Sequence, residues 1–345
     1  MVKILICGKK GDIMKNIIYK IRCLKNVKLT KMFEIINNIN SKTNINKIKL
    51  FFDIIISSFL YGTGYYDYQE FEFYNLNRKE RKTYLTRVKN NNIVKRYNDK
   101  NYFKYFDNKY EFNKIFKDYL NREWLVLDNN YNEFVSFCKN KKEIIVKPID
   151  GCGGTGVDLI KIENKDLKKI YDTLLKNNQV LIEEKIIQHN SLAKLNETSV
   201  NTLRIVTFFD GNNTHILNTV LKIGNGGITD NFSSGSMYTF VKNGKIIVPA
   251  IDRDDNVFEI HPISKEKLVD YSIPNFDKCI DLVKSCAGLI PEVKYVGWDV
   301  AVTEKGASLI EGNCYPGVYQ IKPSFLQKKV GLIPIYEEAM KIKID

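Results

Sequence analysis

The chain is poor in the residues that build the commonest nucleophile and metal sites. Its 345 residues include three histidines, His189, His215 and His261. So few argue against a Ser-His-Asp triad or a histidine-rich metal centre. The seven cysteines (Cys7, Cys23, Cys138, Cys152, Cys279, Cys286 and Cys314) show no C-x-x-C spacing. That excludes the usual zinc knuckle and a disulfide framework, and suits a reducing, cytoplasmic setting. Met1–Cys7 is apolar but lacks the length and cleavage site of a signal peptide. Phe51–Leu60 is about half the length of a membrane span and reads as a buried helix. No internal repeat, low-complexity linker or nucleic-acid module is visible.

What is present concentrates at Ile144–Asp158. An apolar strand ends on Lys147 and Pro148, and Gly151, Gly153, Gly154 and Gly156 follow around Thr155. Glycines let backbone N–H groups approach a ligand, and a lysine at a strand end adds a point charge for phosphate. Gly151, Gly153 and Gly156 match G-x-G-x-x-G, but Val157–Ile162 alternates like a strand where the dinucleotide fingerprint needs a helix. A Walker loop needs G-K-[S/T] after its glycines, and a protein kinase places its lysine after the loop and needs H-R-D and D-F-G. None of these occurs. The remaining reading is a glycine hairpin over a triphosphate, with a ligand-free surface hairpin as the alternative. Cys152 and Cys314 flank this region and read as small residues in tight loops rather than nucleophiles.

A second constellation lies near the C-terminus. Val296–Thr303 and Ala307–Asn313 read as a hairpin turning at Glu304-Lys305-Gly306. Asp299 and Glu311 sit among apolar neighbours, where a carboxylate needs a cation. Asn313 shares the face of Glu311 because the strand period is two. Asp299, Glu311 and Asn313 are hard oxygen donors that suit Mg²⁺ held jointly with phosphates. The alternative is structural pairing with Lys or Arg.

Between the two lie three further candidates. Gln179–Ile186 reads as a strand able to lie along an adenine, with Glu183 and Glu184 offered to base or ribose. Arg204 and Lys222 are cations inside apolar strands, fit for phosphate or carboxylate unless they serve structural ion pairs. Gly224–Ser236 is a long polar loop of the functional kind.

Organisation is uneven in charge. Residues 1–120 hold 25 Lys and Arg against 11 Asp and Glu, a net of +14, and the other 225 hold 28 against 29, a net of −1. The basic front reads as mainly helical, with Arg78–Tyr97 and Tyr102–Leu120 amphipathic and Phe103, Phe106, Tyr110, Ile115 and Tyr119 as core. It is expected to touch a membrane or acidic polymer, or simply to present a solvated lysine face, and no specific nucleic acid is expected. Residues 121–178 carry the glycine hairpin and a helix capped at Asn164. Residues 179–345 are strand-rich, with hairpin turns at Asp210-Gly211 and Asn243-Gly244 and a helix over Asp277–Cys286.

The order Lys-Pro, glycine hairpin, Glu-Glu strand, Arg strand and Asp…Glu-x-Asn resembles the ATP-grasp superfamily. The segments S-V-N-T-L-R-I-V-T, T-D-N-F-S-S-G, H-P-I and G-W-D-V-A-V-T…L-I-E-G-N-C-Y-P-G are similar to its sugar-transfer associated members, over about residues 95 to 322. That resemblance implies an α+β ATP-grasp fold, two α+β subdomains clamping ATP within 121–345, behind a helical region at 1–120. It implies that Lys147 and Gly153–Gly156 hold phosphates, that Glu183 and Glu184 hold adenosine, and that Arg204 stabilises the transferring phosphoryl group. Lys222 is expected, with Arg204, among the catalytic residues, and Mg²⁺ on Asp299, Glu311 and Asn313. The expected activity is ATP-dependent carboxylate–amine ligation through an acylphosphate. Its partners would be a small-molecule or glycan-linked acid and an amine, for cell-surface polysaccharide synthesis. The alternatives are a kinase on the same scaffold and a non-catalytic binder of acidic polymer.

Overall fold

The computed structural model describes residues 28–128, 130–151, 156–226 and 235–344. They form two compact units: 28–90 with Gln320–Ile333, and Asn91–Tyr319 with Pro334–Lys343.

The first unit is helical. Its central helix, Lys47–Tyr61, starts where the Asn46 side chain accepts from Ile48 N and Lys49 N, and stops at Gly62, whose φ of 66° ends the helix without a Cβ clash. The helix turns Leu50, Ile54 and Tyr61 inward, beside Ile35, Ile36 and Ile39 of the helix Leu29–Thr43. Asp53 is tied to Arg81 by two 2.7 Å bonds and to the Tyr68 hydroxyl at 2.5 Å, so this carboxylate is satisfied. The segment after Gln320 belongs to the same unit. The Gln320 amide exchanges bonds with Leu85 N (2.9 Å) and Leu85 O (2.8 Å), and Glu72 accepts from Ser324 N and Oγ.

The second unit holds two antiparallel sheets. The smaller has strands β1 (Trp124–Val126), β2 (Glu143–Lys147), β3 (Asp158–Lys161) and β4 (Leu181–Glu184), in the order β1-β4-β2-β3. Ile144 and Val146 alternate inward against the helices Tyr131–Cys138 and Leu167–Lys176, through Phe134, Tyr171 and Leu174. Period-two alternation then sends Lys147 to the opposite face. The larger sheet has β5 (Thr202–Phe209), β6 (Thr214–Ile223), β7 (Met237–Lys242), β8 (Lys245–Ile246), β9 (Ala250–Ile251), β10 (Val257–Phe258), β11 (Tyr295–Thr303) and β12 (Gly306–Asn313). Its path is β10-β9-β7-β6-β5-β11-β12, with β8 paired to β7. β5 and β11 are buried almost throughout, which explains their continuous apolar runs. The helix Phe276–Ala287 packs through Cys279, Val283 and Cys286, and Phe106, Phe112 and Phe116 surround Trp298.

Four details depart from the sequence reading. Arg78–Tyr97 is two helices, Arg78–Arg81 and Arg87–Tyr97, and the 102–120 stretch breaks into three short ones. The helix of the small-sheet subdomain is capped by Asp166, which accepts from Lys168 N and Lys169 N, whereas Asn164 takes a left-handed φ of 57° in the preceding turn. Tyr110 is exposed rather than core. Phe51–Leu60 is helical but not buried on all sides: Phe52, Ile56 and Leu60 are exposed. Among the described residues no helix is long and apolar enough to cross a membrane.

Phe116 is fully buried and meets Phe106, Phe112 and Trp298. Phe116→Ala should cost about 3–5 kcal/mol in a urea titration. A loss below about 1 kcal/mol would show that this aromatic cluster does not carry the core.

Candidate functional site

The large sheet gathers four charged side chains onto one face. Register places Asp299 opposite Arg204 of β5 on one side and opposite Glu311 of β12 on the other. Lys222 of β6 lies two residues from Val220, the cross-strand partner of Arg204. Asp299 is 4% exposed, and burial alone would raise its carboxyl pKa. The charges of Arg204 and Lys222 outweigh that and hold it well below the usual carboxylate range. Arg204 grips it with two bonds, Nε to Oδ1 at 2.5 Å and Nη2 to Oδ2 at 2.8 Å, and Lys222 Nζ reaches Oδ2 at 2.8 Å. Arg204 Nη1 donates to Pro316 O at 2.8 Å, fixing the guanidinium plane.

Glu311 behaves differently. Its side chain is open to solvent at the surface, yet crowding by protein and the Asp299 charge push its carboxyl upward. Asn313 turns its amide to Gly297 O at 3.4 Å and Glu311 Oε1 at 3.3 Å. A β-bulge follows Asp299 in the β11–β12 pairing, re-aiming the strand at this point. Two adjacent carboxylates with one raised are a donor set that a divalent cation would relieve, and all three side chains offer hard oxygen, so they fit Mg²⁺. Asp299 already accepts three bonds from Arg204 and Lys222, which limits what it can give an ion. Among the described residues no group of three or more His, Cys, Asp or Glu forms a metal set, so the candidate consists of two acids and one amide.

The small sheet presents a second charge cluster. Glu183 pairs with Ile145 in register, which puts it on the face of Lys147. Glu183 is 4% exposed and fully satisfied: Lys147 Nζ lies at 2.7 Å, Arg122 Nε at 2.9 Å and Asn113 Nδ2 at 2.9 Å. Burial would raise the Glu183 carboxyl, but the Arg122 and Lys147 charges hold it far below its ordinary value. Burial also pulls the Lys147 ammonium down despite Glu183. Arg122 Nη1 donates to Leu309 O of β12, linking this cluster to the large sheet. Glu184 points to the other face, takes a bond from Glu123 N at 3.1 Å, and borders a cleft of about 720 Å³ with Lys278, Asp281 and Lys305.

Gly153, Gly154 and Thr155 lie outside the described residues, as do residues 227–234 of the long polar loop. Gly156 is described, with φ of 74°; its carbonyl accepts from Gln179 Nε2 at 3.0 Å. Asn201 of S-V-N-T receives Gly224 N at 3.1 Å, and His261 of H-P-I donates through Nε2 to Gly224 O at 3.0 Å, with Nδ1 accepting from Ser264 N. Both motifs thus hold the start of the polar loop. Cys314 is buried, and burial pushes its thiol up, against thiolate chemistry. The structure adds Arg122, Asn113 and Pro316 to the site. Arg122 belongs to no motif in the sequence, and Pro316 contributes only its carbonyl, which no residue type signals.

Glu183 and Asp299 have depressed folded-state pKa values, so each stabilises the fold above the unfolded carboxylate range of about 4 and loses that contribution as pH falls. Glu183→Gln leaves Arg122 and Lys147 without their anion and should cost about 3–5 kcal/mol near neutrality. Its stability should also fall less steeply on acidification than that of the parent. Urea titrations across the acid range test this, and an unchanged slope would mean Glu183 is not the anion holding this cluster.

No curated protein matches the chain. Among solved structures, an ATP-grasp ligase PsnB bound to precursor peptide PsnA2 and AMPPNP is 14% identical, with 63% of this chain and 53% of that one covered and a TM-score of 0.37. D-alanine–D-alanine ligase from Helicobacter pylori is 17% identical, covering 62% and 55%, with a TM-score of 0.40. The Bacillus anthracis D-alanine–D-alanine ligase complexed with ATP is 16% identical, covering 69% and 61%, with a TM-score of 0.38. The chain thus spans between about half and three-fifths of the length of these structures. Residues 88–329 match the sugar-transfer associated ATP-grasp family, well over half of the chain, and the protein belongs to that family.

Proposed function

We propose that the protein is an ATP-dependent carboxylate–amine ligase. The observation that carries this reading is the convergence of Arg204 and Lys222 on Asp299 beside Glu311, in a chain of ATP-grasp family membership. Two cations held at one point can receive the charge that develops on a transferring phosphoryl group. Lys147, at the end of β2, and the backbone of the glycine hairpin through Gly156 would hold the triphosphate. Glu183 keeps Lys147 oriented for that task. Asp299, Glu311 and Asn313 would hold Mg²⁺, which when bound would supply positive charge to the phosphate oxygens.

The acid substrate's carboxylate oxygen would attack the γ-phosphorus of ATP, and ADP would leave. The amine nitrogen would then attack the acyl carbon, phosphate would leave, and the nitrogen would give up a proton to complete the amide. A site that keeps water out would protect this intermediate from hydrolysis. The substrate class that fits the family's sugar-transfer association is a sugar acid or an amino acid bound for a surface glycan, processed in the cytoplasm.

Asp299→Asn and Lys147→Ala should each lower turnover by about a hundredfold or more. ADP and phosphate release should require an acid and an amine together. A stable phosphoester formed on a hydroxyl acceptor would favour a kinase, and undiminished function in both variants would leave only a binding role.

A further inference from the structure

The helix Lys47–Tyr61 gives only one side to the core. Opposite that side, Ile48, Phe52, Ile56 and Leu60 are 67%, 57%, 51% and 64% exposed. They recur every four residues, so they form one stripe. The stripe widens onto the preceding helix. Phe33 is 51% exposed and stacks on Phe51 at 5.9 Å, and Phe51 meets Phe52 edge-on at 5.5 Å. Leu29, one turn before Phe33, is 58% exposed. The charge around this apolar surface is one-sided. Lys28, Lys31, Lys42, Lys47 and Lys49 stand against two acids between residues 28 and 61: Glu34, which Lys31 meets at 2.6 Å, and Asp53, which Arg81 holds with two bonds.

An exposed patch of this kind calls for an occupant, and its charge selects among them. An acidic polymer or nucleic acid would use the lysines but leave Phe52, Ile56 and Leu60 in water. A second copy of the chain, joined by a two-fold axis, would set lysine against lysine across the seam. A surface that is apolar beneath and anionic on top satisfies both halves. Apolar side chains flanked by lysines, on a helix too short to cross a bilayer, are the make-up of an interfacial helix. We propose that the exposed face of the helix Lys47–Tyr61, with Leu29 and Phe33, seats the protein on an anionic lipid bilayer. The helix lies in the plane of the headgroups, the apolar stripe reaches the acyl boundary, and the lysines meet lipid phosphates.

The test is co-sedimentation of the full chain with vesicles of mixed phosphatidylcholine and phosphatidylglycerol, and with phosphatidylcholine alone. The parent should partition onto the anionic vesicles, more weakly as salt rises, and much less onto neutral ones. Phe52→Ser combined with Ile56→Ser should weaken that partition about tenfold or more without a matching change in thermal melting. Lys47→Glu combined with Lys49→Glu should weaken it through charge. If the serine pair disturbs folding, Ile48→Ser, at the exposed first turn, repeats the measurement. Three outcomes overturn the proposal: no partition onto anionic vesicles, partition untouched by the serine variants, or self-association of the parent in light scattering that the serine pair abolishes.

Discussion

The ion pair between Asp299 and Arg204 is the constraint on which the charged face of the large sheet depends. Asp299 sits in β11 between Trp298 and Val300, both fully buried, where an unpaired carboxylate would cost several kcal/mol. The strand can be this apolar and still carry an acid only because β5 places Arg204 directly across from it and β6 brings Lys222 within 2.8 Å. That requirement fixes strand order as well as residue choice, since a one-residue slip of β5 would send Arg204 to the opposite face. The same guanidinium holds Pro316 O, so the charge cluster joins packing and the Asn98 and Asn218 amides in positioning the loop that follows β12.

Glu183 repeats the device on the small sheet, with a different balance. There one carboxylate meets two cations, Lys147 and Arg122, so the cluster carries one surplus positive charge. On the large sheet the two cations Arg204 and Lys222 meet two acids, Asp299 and Glu311. Lys147 thus stands in a cluster with surplus positive charge, while at the other cluster burial first, and the Asp299 charge second, push the Glu311 carboxyl upward. The two clusters therefore differ in charge balance, one with a surplus cation and one neutral with a carboxyl raised by burial.

How much of this the sequence revealed depended on whether a feature was periodic. The hairpin of β11 and β12 was legible because its strands are apolar and its turn carries Gly306. The shared face of Glu311 and Asn313 followed from the period of two. The β-bulge after Asp299 left no local signal. Arg122 and Asn113 escaped because their role is set by contacts about 60 to 70 residues away, with Glu183. Glu183 and Glu184 read as equivalent neighbours, yet strand geometry sends them to opposite faces, one buried among cations and one at the surface. Phe51–Leu60 was misjudged for a related reason: an apolar run shows that a helix is hydrophobic all round, but not whether anything covers its outer side.

The glycines of V-G-W-D and E-G-N show that packing, and not ligand chemistry alone, shapes the motif. A Cβ on Gly297 would lie 2.9 Å from Pro316 Cα and 3.1 Å from Arg204 Cδ. A Cβ on Gly312 would lie 2.8 Å from Phe106 Cδ1 and 3.0 Å from Trp298 Cζ3. The first gap admits the stem of the arginine that neutralises Asp299, together with the loop whose carbonyl that arginine holds. The second lets the aromatic cluster close against the back of β12. A side chain at Gly297 would clash with the Pro316 backbone and crowd the stem of Arg204, disturbing both the loop and the pair with Asp299. Spacing between the acids and the absence of side chains beside them thus serve one end, which is to hold a dense group of charges in an apolar sheet.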